Sequence, residues 1–571
     1  MWMIPAVVLL PLAGAGLSLI ITFSRRPLVI VRRIMTFWPW LSVLLLLAGR
    51  LIPQVAASLP QTGSPVLETA GEPSTKAVSS WFSIAESMLE ETFAFQEATW
   101  ISLLVLALVV AIAAPGVVVG GGRAAGSARD DRRMTYLMLI QFLWMTSWLA
   151  ADWRVSLGCF DLGWMLGAVG LLLDAPAPSS VGLGATDSPS GAGVTNDRSS
   201  SAVTGWVAWQ GLASLSLLVA MWLLSAVSMS LKSDLVPVAP AATFDLGELV
   251  ADASRWPAQN EIALRVWRTT SGGILLGLLI AIWIRGAVFP LHGWWASLVA
   301  TQSLPLALVL NTGSALSSLQ LAQRFLGTLF QSEWREHAPW LEWLAGGGSL
   351  WLASLALSRT DLRKLLGFAT LTLLQLSMLA QLTVVPTGVP TSVVAAQQLL
   401  TGALLAGGVL LMLVAALEAQ SPAREIDGWG GLSQQIPRWS RAFGLNGWLL
   451  AGGLPGAVGA GLWLLLTTRL LESSWWVLAI LAGWMMLIST HLNLALRLLF
   501  GRPRSPRLPV FGYSPASHAL SGEMQFIPSS LGHQLAHHLL DDPPAVRDLS
   551  RGAGLALMIV TLINLCLVWC R

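Results

Sequence analysis

The sequence predicts an all-α fold, a polytopic membrane protein of about 14 transmembrane helices, on three observations. Of its 571 residues, 54% are hydrophobic and 11% charged, and the mean hydropathy is +0.67. A soluble domain carries roughly 25% charged residues, and a soluble core stops growing near ~300 residues, so the remaining solvent for this apolar surface is lipid. Second, apolar runs of about the length that crosses a bilayer, roughly 20 residues, recur from end to end. Third, the arginines fall in alternate connections.

Taken in order, the runs place helices at 2–23, 34–56, 99–119, 134–151, 156–174, 204–228, 271–289, 302–321, 342–357, 366–386, 391–418, 443–467, 474–499 and 553–570. The first run is followed by Arg25 and Arg26 and lacks both a preceding basic region and a small-residue cleavage pattern, so it reads as a retained helix rather than a signal peptide. Basic loops stay in the cytoplasm. Arg25, Arg26, Arg32 and Arg33 fill the first connection; Arg123, Arg129, Arg132 and Arg133 the third; Arg359, Arg363 and Lys364 the ninth; Arg502, Arg504 and Arg507 the thirteenth. All are odd-numbered and share one side, which puts both termini outside a cell inner (plasma) membrane. The second connection is acidic, with Glu68, Glu72, Glu86 and Glu90.

Three regions are expected: residues 1–98 with the first helices and an outer loop, a core over 99–470, and the C-terminal helices with a cytoplasmic loop over 471–571. Residues 57–98 and 231–268 read as outer loops, and the Pro-, Ser- and Gly-rich stretch 175–203 as a flexible cytoplasmic linker.

The composition excludes several functions. A net charge of +3 offers no basic face for nucleic acid. No Walker loop, dinucleotide-binding glycine motif or HExxH zinc motif is present. Cys159, Cys566 and Cys570 lie in apolar runs without metal spacing. His533 and His537 share a helix face, but with no third placed ligand they read as part of a polar surface helix. The chain is read as a transport subunit, not an enzyme, with no cofactor and no metal of its own.

Polar groups inside the apolar runs are then the candidates for function, because a charge at mid-helix costs at least ~2.5 kcal/mol. Asp161 lies in the fifth helix, where it is either a proton carrier or an acid neutralised by an arginine. Arg285 ends the apolar stretch of the seventh; arginine does not deprotonate in proteins, so it holds a counter-ion or snorkels toward head groups. Pro290 removes a backbone donor and breaks that helix, and broken helices line pathways. His292 follows it, with a side chain suited to proton transfer or to interfacial anchoring beside Trp294 and Trp295. Asn311, Gln375, Gln397, Gln398, Asn446, His491 and Asn493 complete the set as helix-bridging amides or pathway groups.

These residues carry a resemblance. RGAVFPLHGW, Arg285–Trp294, resembles the signature of the antiporter-like subunits of respiratory complex I and Mrp antiporters. The following helix, Ala300–Gly313, resembles their Pro-Thr-Pro-Val-Ser-Ala helix, and Thr360–Leu379 (TDLRKLLGFATLTLLQLSML) is similar to their TDxKRxLAYST segment. Gln397–Leu405 stands where that family has a His-x-x-x-Lys helix, and Glu425–Leu432 at its Met-Gly-Gly-Leu turn. The resemblance implies inverted repeats with two broken helices and a buried ion path. Residue by residue, Asp161 stands for the fifth-helix Glu, Arg285 for the seventh-helix Lys, His292 for the signature His, Asn311 (or Leu310) for the eighth-helix His, and Thr401 for the twelfth-helix Lys. Lys364 and Gln397 complete the implied path, with Pro290 as the helix break.

The chain departs from that pattern in its lysines: Lys76, Lys232 and Lys364 are all it has, and none lies mid-helix. Protons would use water, Asp161 and His292, or the chain would be a non-conducting scaffold. The Leu-His-Gly-Trp form of the signature is most similar to DabB-type subunits of inorganic carbon uptake complexes. That implies a large DabA-type zinc protein as partner, with the zinc in that partner. The alternative is a proton-translocating subunit of an NADH-quinone oxidoreductase or an Mrp-type antiporter.

Overall fold

The structure, a computed structural model, describes residues 3–23, 38–48, 97–119, 128–174, 192–235, 244–245, 248–249, 261–326, 330–382, 391–420, 424–472, 474–500 and 548–568. The expected outer loop 57–96 and the histidines His518, His533, His537 and His538 lie outside these residues.

The described elements are helices in chain order: α1 (Met3–Phe23), α2 (Trp38–Ala48), α3 (Glu97–Val119), α4 (Ala128–Leu149), α5 (Trp153–Asp174), α6 (Ala192–Leu235), α7 (Glu261–Arg285), α8 (Gly293–Thr301), α9 (Leu304–Leu321), α10 (Gln331–Ser358), α11 (Leu362–Leu382), α12 (Thr391–Glu418), α13 (Pro437–Leu450), α14 (Ala457–Leu471), α15 (Trp476–Leu498) and α16 (Arg551–Cys566). Short turns (a π turn at Ala322–Leu326 after α9 and a 3-10 turn at Ile426–Gly428) link some of them. Among the described residues, seven helices are long and apolar enough to cross a membrane, with shorter apolar helices beside them.

The centre is made of helices buried on nearly every side and apolar over most of their surface. Residues Val105 to Ala111 of α3 are fully buried, and α9, α11 and α12 are buried along nearly their whole length. In lipid there is no hydrophobic drive between helices, so close packing by small residues takes over. Where α12 meets α14, a side-chain carbon on Gly402 would fall 2.6 Å from the Val458 nitrogen, and one on Gly461 would fall 2.9 Å from that of Leu399. Backbone touches backbone there, and no larger residue fits. The peripheral helices α5, α7 and α15 are half-buried and show Leu162, Leu172, Leu276 and Leu478 outward, as a lipid-facing surface requires. Trp343 of α10 and Trp475 at the start of α15, both exposed, meet with ring centroids 4.7 Å apart, an arrangement typical of the membrane interface.

Several expected boundaries are corrected. The stretch 175–203 is not all linker, because α6 already begins at Ala192. The seventh helix ends at Arg285 rather than 289, and a separate short helix, α8, follows the break. The expected helix 443–467 is two helices, α13 and α14, separated at Ala451–Gly456. There Gly452 takes φ +69°, a left-handed conformation that glycine adopts without strain, and Trp484 Nε1 caps the Ala451 carbonyl at 2.8 Å. Hydropathy does not see such a break, since both halves are apolar.

Candidate functional site

The first break is the part of the chain around which buried polar groups collect. Between α7 and α8 the chain passes through Ala287, at φ 50°, and the cis peptide Phe289–Pro290. Unwinding leaves backbone groups that lipid cannot satisfy. Side chains take them up. Ser318 donates to Ile282 O at 2.9 Å, Trp294 to Ile284 O at 3.0 Å, and Trp283 to Phe289 O at 3.2 Å. Gln375, fully buried on α11, serves two at once: its Nε2 donates to Ala287 O at 3.0 Å and its Oε1 accepts from Phe289 N at 3.0 Å. The amide expected to bridge helices therefore clamps the break.

At the end of α7, Arg285 is 2% exposed. Its Nη2 lies 3.7 Å from Asp161 Oδ1 and donates to Ser214 Oγ at 3.1 Å; its Nη1 donates to Ser317 Oγ at 3.2 Å. Its guanidinium carbon sits 4.0 Å from the centre of the Phe160 ring, which in turn stacks on Trp144 at 5.6 Å. A weakly hydrated, planar cation suits such a site. Asp161 accepts from Ser214 Oγ at 2.5 Å and from Trp164 Nε1 at 2.9 Å. Helices α5, α6, α7 and α9 thus each supply one part of a network that holds an acid and a base together inside the bundle.

Next to it lies a cavity of about 40 Å³, lined by Ser147, Ser156, Phe160, Arg285, Ser317 and Arg324 among others. At ~10–15 Å³ per molecule it has room for a few waters. Gln320, which also lines it, has no hydrogen-bond partner for either amide atom. Arg324 donates to the Trp148 carbonyl at 2.6 Å on the far wall. Further along α9, Gln210 and Ser314 bond one another at 3.1 Å, while Asn311, 1% exposed, leaves both amide atoms unpartnered. One face of α9 is therefore polar from Asn311 to Gln320 although the helix is buried.

The other expected residues are not gathered here. His292 caps the start of α8 with its ring stacked on Phe289 at 5.7 Å, and makes no described bond to Asp161 or Arg285. Gln397 and Gln398 are buried on α12, and Thr401 bonds back to the Gln397 carbonyl of its own helix at 2.8 Å. Lys364 is exposed at the start of α11, away from the Asp161–Arg285 network, because the helix turns that position outward while Arg363 turns inward. Arg363 forms a buried ion pair with Glu418 and donates to Gln302 O at 2.7 Å. A third pairing joins Arg469 to Glu342 at 2.8 Å and Glu472 at 3.2 Å. Burial pushes the Glu472 carboxyl up from its ordinary range even though Arg469 pulls it down. Among the described residues, no group of three or more His, Cys, Asp or Glu could hold a metal ion.

Ser214, Ser317, Gln210 and Ser314 were missed from sequence. Gln210 and Ser214 are one turn apart, which was a visible signal. Serines in apolar helices commonly bond their own preceding turn, as Ser216 does to Leu212 O and Ser225 to Met221 O, and so attract no notice.

Known proteins place this architecture. The model of the family "NADH:quinone oxidoreductase/Mrp antiporter, TM" matches residues 191–489, more than half of the chain. No curated protein matches the sequence. Among solved structures, a chain of respiratory complex I from Thermus thermophilus with bound NADH is similar at TM-score 0.63 and 18% identity, covering 98% of this chain and 99% of that one. A chain of the membrane-bound sulfane sulfur reductase, an archaeal respiratory membrane complex, gives TM-score 0.65 at 15% identity, covering 98% and 75%. A chain of the Mrp complex from Dietzia sp. DQ12-45-1b gives 0.64 at 15%, covering 100% and 95%. At these identities the likeness is one of fold, and the family match supplies the rest: the chain belongs to the NADH:quinone oxidoreductase/Mrp antiporter transmembrane family.

Proposed function

We propose that the chain is the cation-translocating subunit of a multi-subunit membrane complex, and that Asp161 is the group that takes up and releases the proton. The observation that supports this most is the buried Asp161–Ser214–Arg285 network beside a cavity with room for water. Arg285 keeps its charge throughout. A proton reaching Asp161 cancels the carboxylate that faces the guanidinium, and the freed cation makes the next proton's arrival unfavourable until the first one leaves. Water in the cavity, oriented by the Gln320 amide, would carry protons toward and away from the network.

Among such complexes, we propose an inorganic carbon (bicarbonate or CO2) uptake complex, in which this chain couples the ion gradient to a DabA-type zinc protein that performs the carbon chemistry. The Pro-Leu-His-Gly-Trp sequence at Pro290–Trp294 supports that choice. A complex in the inner membrane, pumping protons with an NADH-quinone oxidoreductase or Mrp-type set of partners, is the competing reading, and the family relationship supports that one.

Purification of the tagged complex from its own membranes separates them. A co-purifying zinc protein supports carbon uptake; flavin and iron–sulfur subunits, or a set of small antiporter subunits, overturn it. Proteoliposomes of that complex test the pathway, where Asp161→Asn should abolish gradient-driven flux. Unchanged flux would leave the chain as a scaffold.

A further inference from the structure

A second feature lies apart from the Asp161 network. A groove of about 910 Å³ runs along the outer surface between α6, α8 and the start of α11. This is near the upper end of the ~300–1,000 Å³ found for small-molecule sites. One wall is the face of α6 bearing Ser201, Gly205 and Trp209, at one-turn spacing; the other is Trp294, Ser297 and Thr301 of α8. Pro290 and Leu291 also line it, and its exposed rim carries Arg359 and Lys364.

The two cations set its chemistry. Both are exposed, and neither has an ion pair among the described residues. Arg359 lies over the Phe368 ring at 5.8 Å. The nearby Asp361 accepts from the Lys364 backbone nitrogen at 3.1 Å. The neighbouring Arg363 is already committed to Glu418. Arg285 pairs with Asp161, Arg363 with Glu418 and Arg469 with Glu342; Arg359 and Lys364 have no such carboxylate among the described residues.

We infer that this groove binds one anionic phospholipid, with its phosphate held between Arg359 and Lys364 and its acyl chains laid against the partly exposed Trp209, Leu291 and Ala296. Charge complementarity and the shape of the walls support this occupant over a protein helix. A basic rim borders an aromatic, apolar slot, on the face that the basic loops assign to the cytoplasm, where anionic lipids concentrate. Ser201, Ser297 and Thr301 supply hydroxyls along the slot for the glycerol region. The same cations would disfavour the groove as the mouth of a cation path, so the inference stands whether or not the Asp161 pathway does.

Native mass spectrometry of the full chain in its complex, exchanged into mild detergent, provides the test. Titration with phosphatidylglycerol or cardiolipin should show one retained lipid, with phosphatidylcholine bound at least tenfold more weakly. Arg359→Gln with Lys364→Gln should weaken the anionic lipid by roughly 30-fold, equivalent to about 2 kcal/mol at about 1 kcal/mol per cation. Ser297→Trp, which fills the slot and leaves the charges in place, should give the same loss. Inorganic phosphate at matched concentration should not displace the lipid. Equal retention by the variants overturns the inference, as does displacement by phosphate alone, which would mean a free-anion site. A partner subunit crosslinking to a cysteine at Ser297 would also overturn it.

Discussion

Ser214 and Asp161 are joined by a 2.5 Å hydrogen bond from two different helices, and the same hydroxyl accepts from Arg285 at 3.1 Å. The serine is the link through which the cation and the acid feel one another at a separation of 3.7 Å. Removing it tests the arrangement without touching either charge. Ser214→Ala should lower gradient-driven proton flux in proteoliposomes and destabilise the protein by about 1.5–3 kcal/mol, the usual range for a bond to a charged group. Unaltered flux would show that the hydroxyl is packing alone.

Arg285 is fully enclosed, and its removal leaves a carboxylate without its cation. Arg285→Leu should destabilise by about 3 kcal/mol, the low end for a broken buried pair because Asp161 is itself 24% exposed. The double variant Arg285→Leu with Asp161→Asn should recover part of that loss. Thermal unfolding of the four proteins closes the cycle, and strict additivity would mean that the two groups do not interact.

Gln375 satisfies two backbone groups in the break of the seventh helix. Gln375→Leu roughly keeps the volume and orphans both, so a loss of about 2–6 kcal/mol is expected, at ~1–3 kcal/mol for each orphaned group. Hydrogen exchange should report it as faster exchange of the Phe289 amide, which has lost its acceptor.

Glu472 gives a pH dependence of determined sign. Its carboxyl is raised above the usual 4.5 by burial. The folded chain therefore binds that proton more tightly than the unfolded one, and this contribution to stability is present at acid pH and is lost as pH rises through the folded value. Glu472→Gln should flatten that part of the melting-temperature profile. Asp152 runs the other way: its hydrogen bond from Arg154 holds it below 3.8, so its contribution is present above that value and disappears as pH falls. Asp152→Asn should remove an acid-side loss, and an unchanged low-pH limb would contradict the pairing.

How much of this could be read from the residues depended on how rare each signal is in lipid. Asp161 and Arg285 stood out because a charge in an apolar run demands a reason, and they do meet. The α12 helix was placed at its observed bounds, 391–418, since nothing within it competes with helix. Pro290 marked the first break. The second, at Ala451–Gly456, passed unseen although Gly452, Gly453 and Pro455 lie within it, because the apolar residues on either side add up to one bilayer crossing. The outward turn of Lys364 against the inward turn of Arg363 was also hidden, as adjacent positions on a helix end differ by 100° and only tertiary packing says which is inside. Ser317 carried no signal beyond its polarity, and Ser214 only its one-turn spacing from Gln210.

One helix acquires a mechanical meaning from its fastenings. At its first turn α11 is pinned by Arg363 to Glu418 and to the carbonyl after α8; near its last turn the Leu379 carbonyl is held by Arg469 at 3.0 Å; midway, Gln375 grips the unwound segment. Such a rod has no slack. A tug applied at either rim of the membrane would reach residues 287–289 through these bonds, beside Arg285.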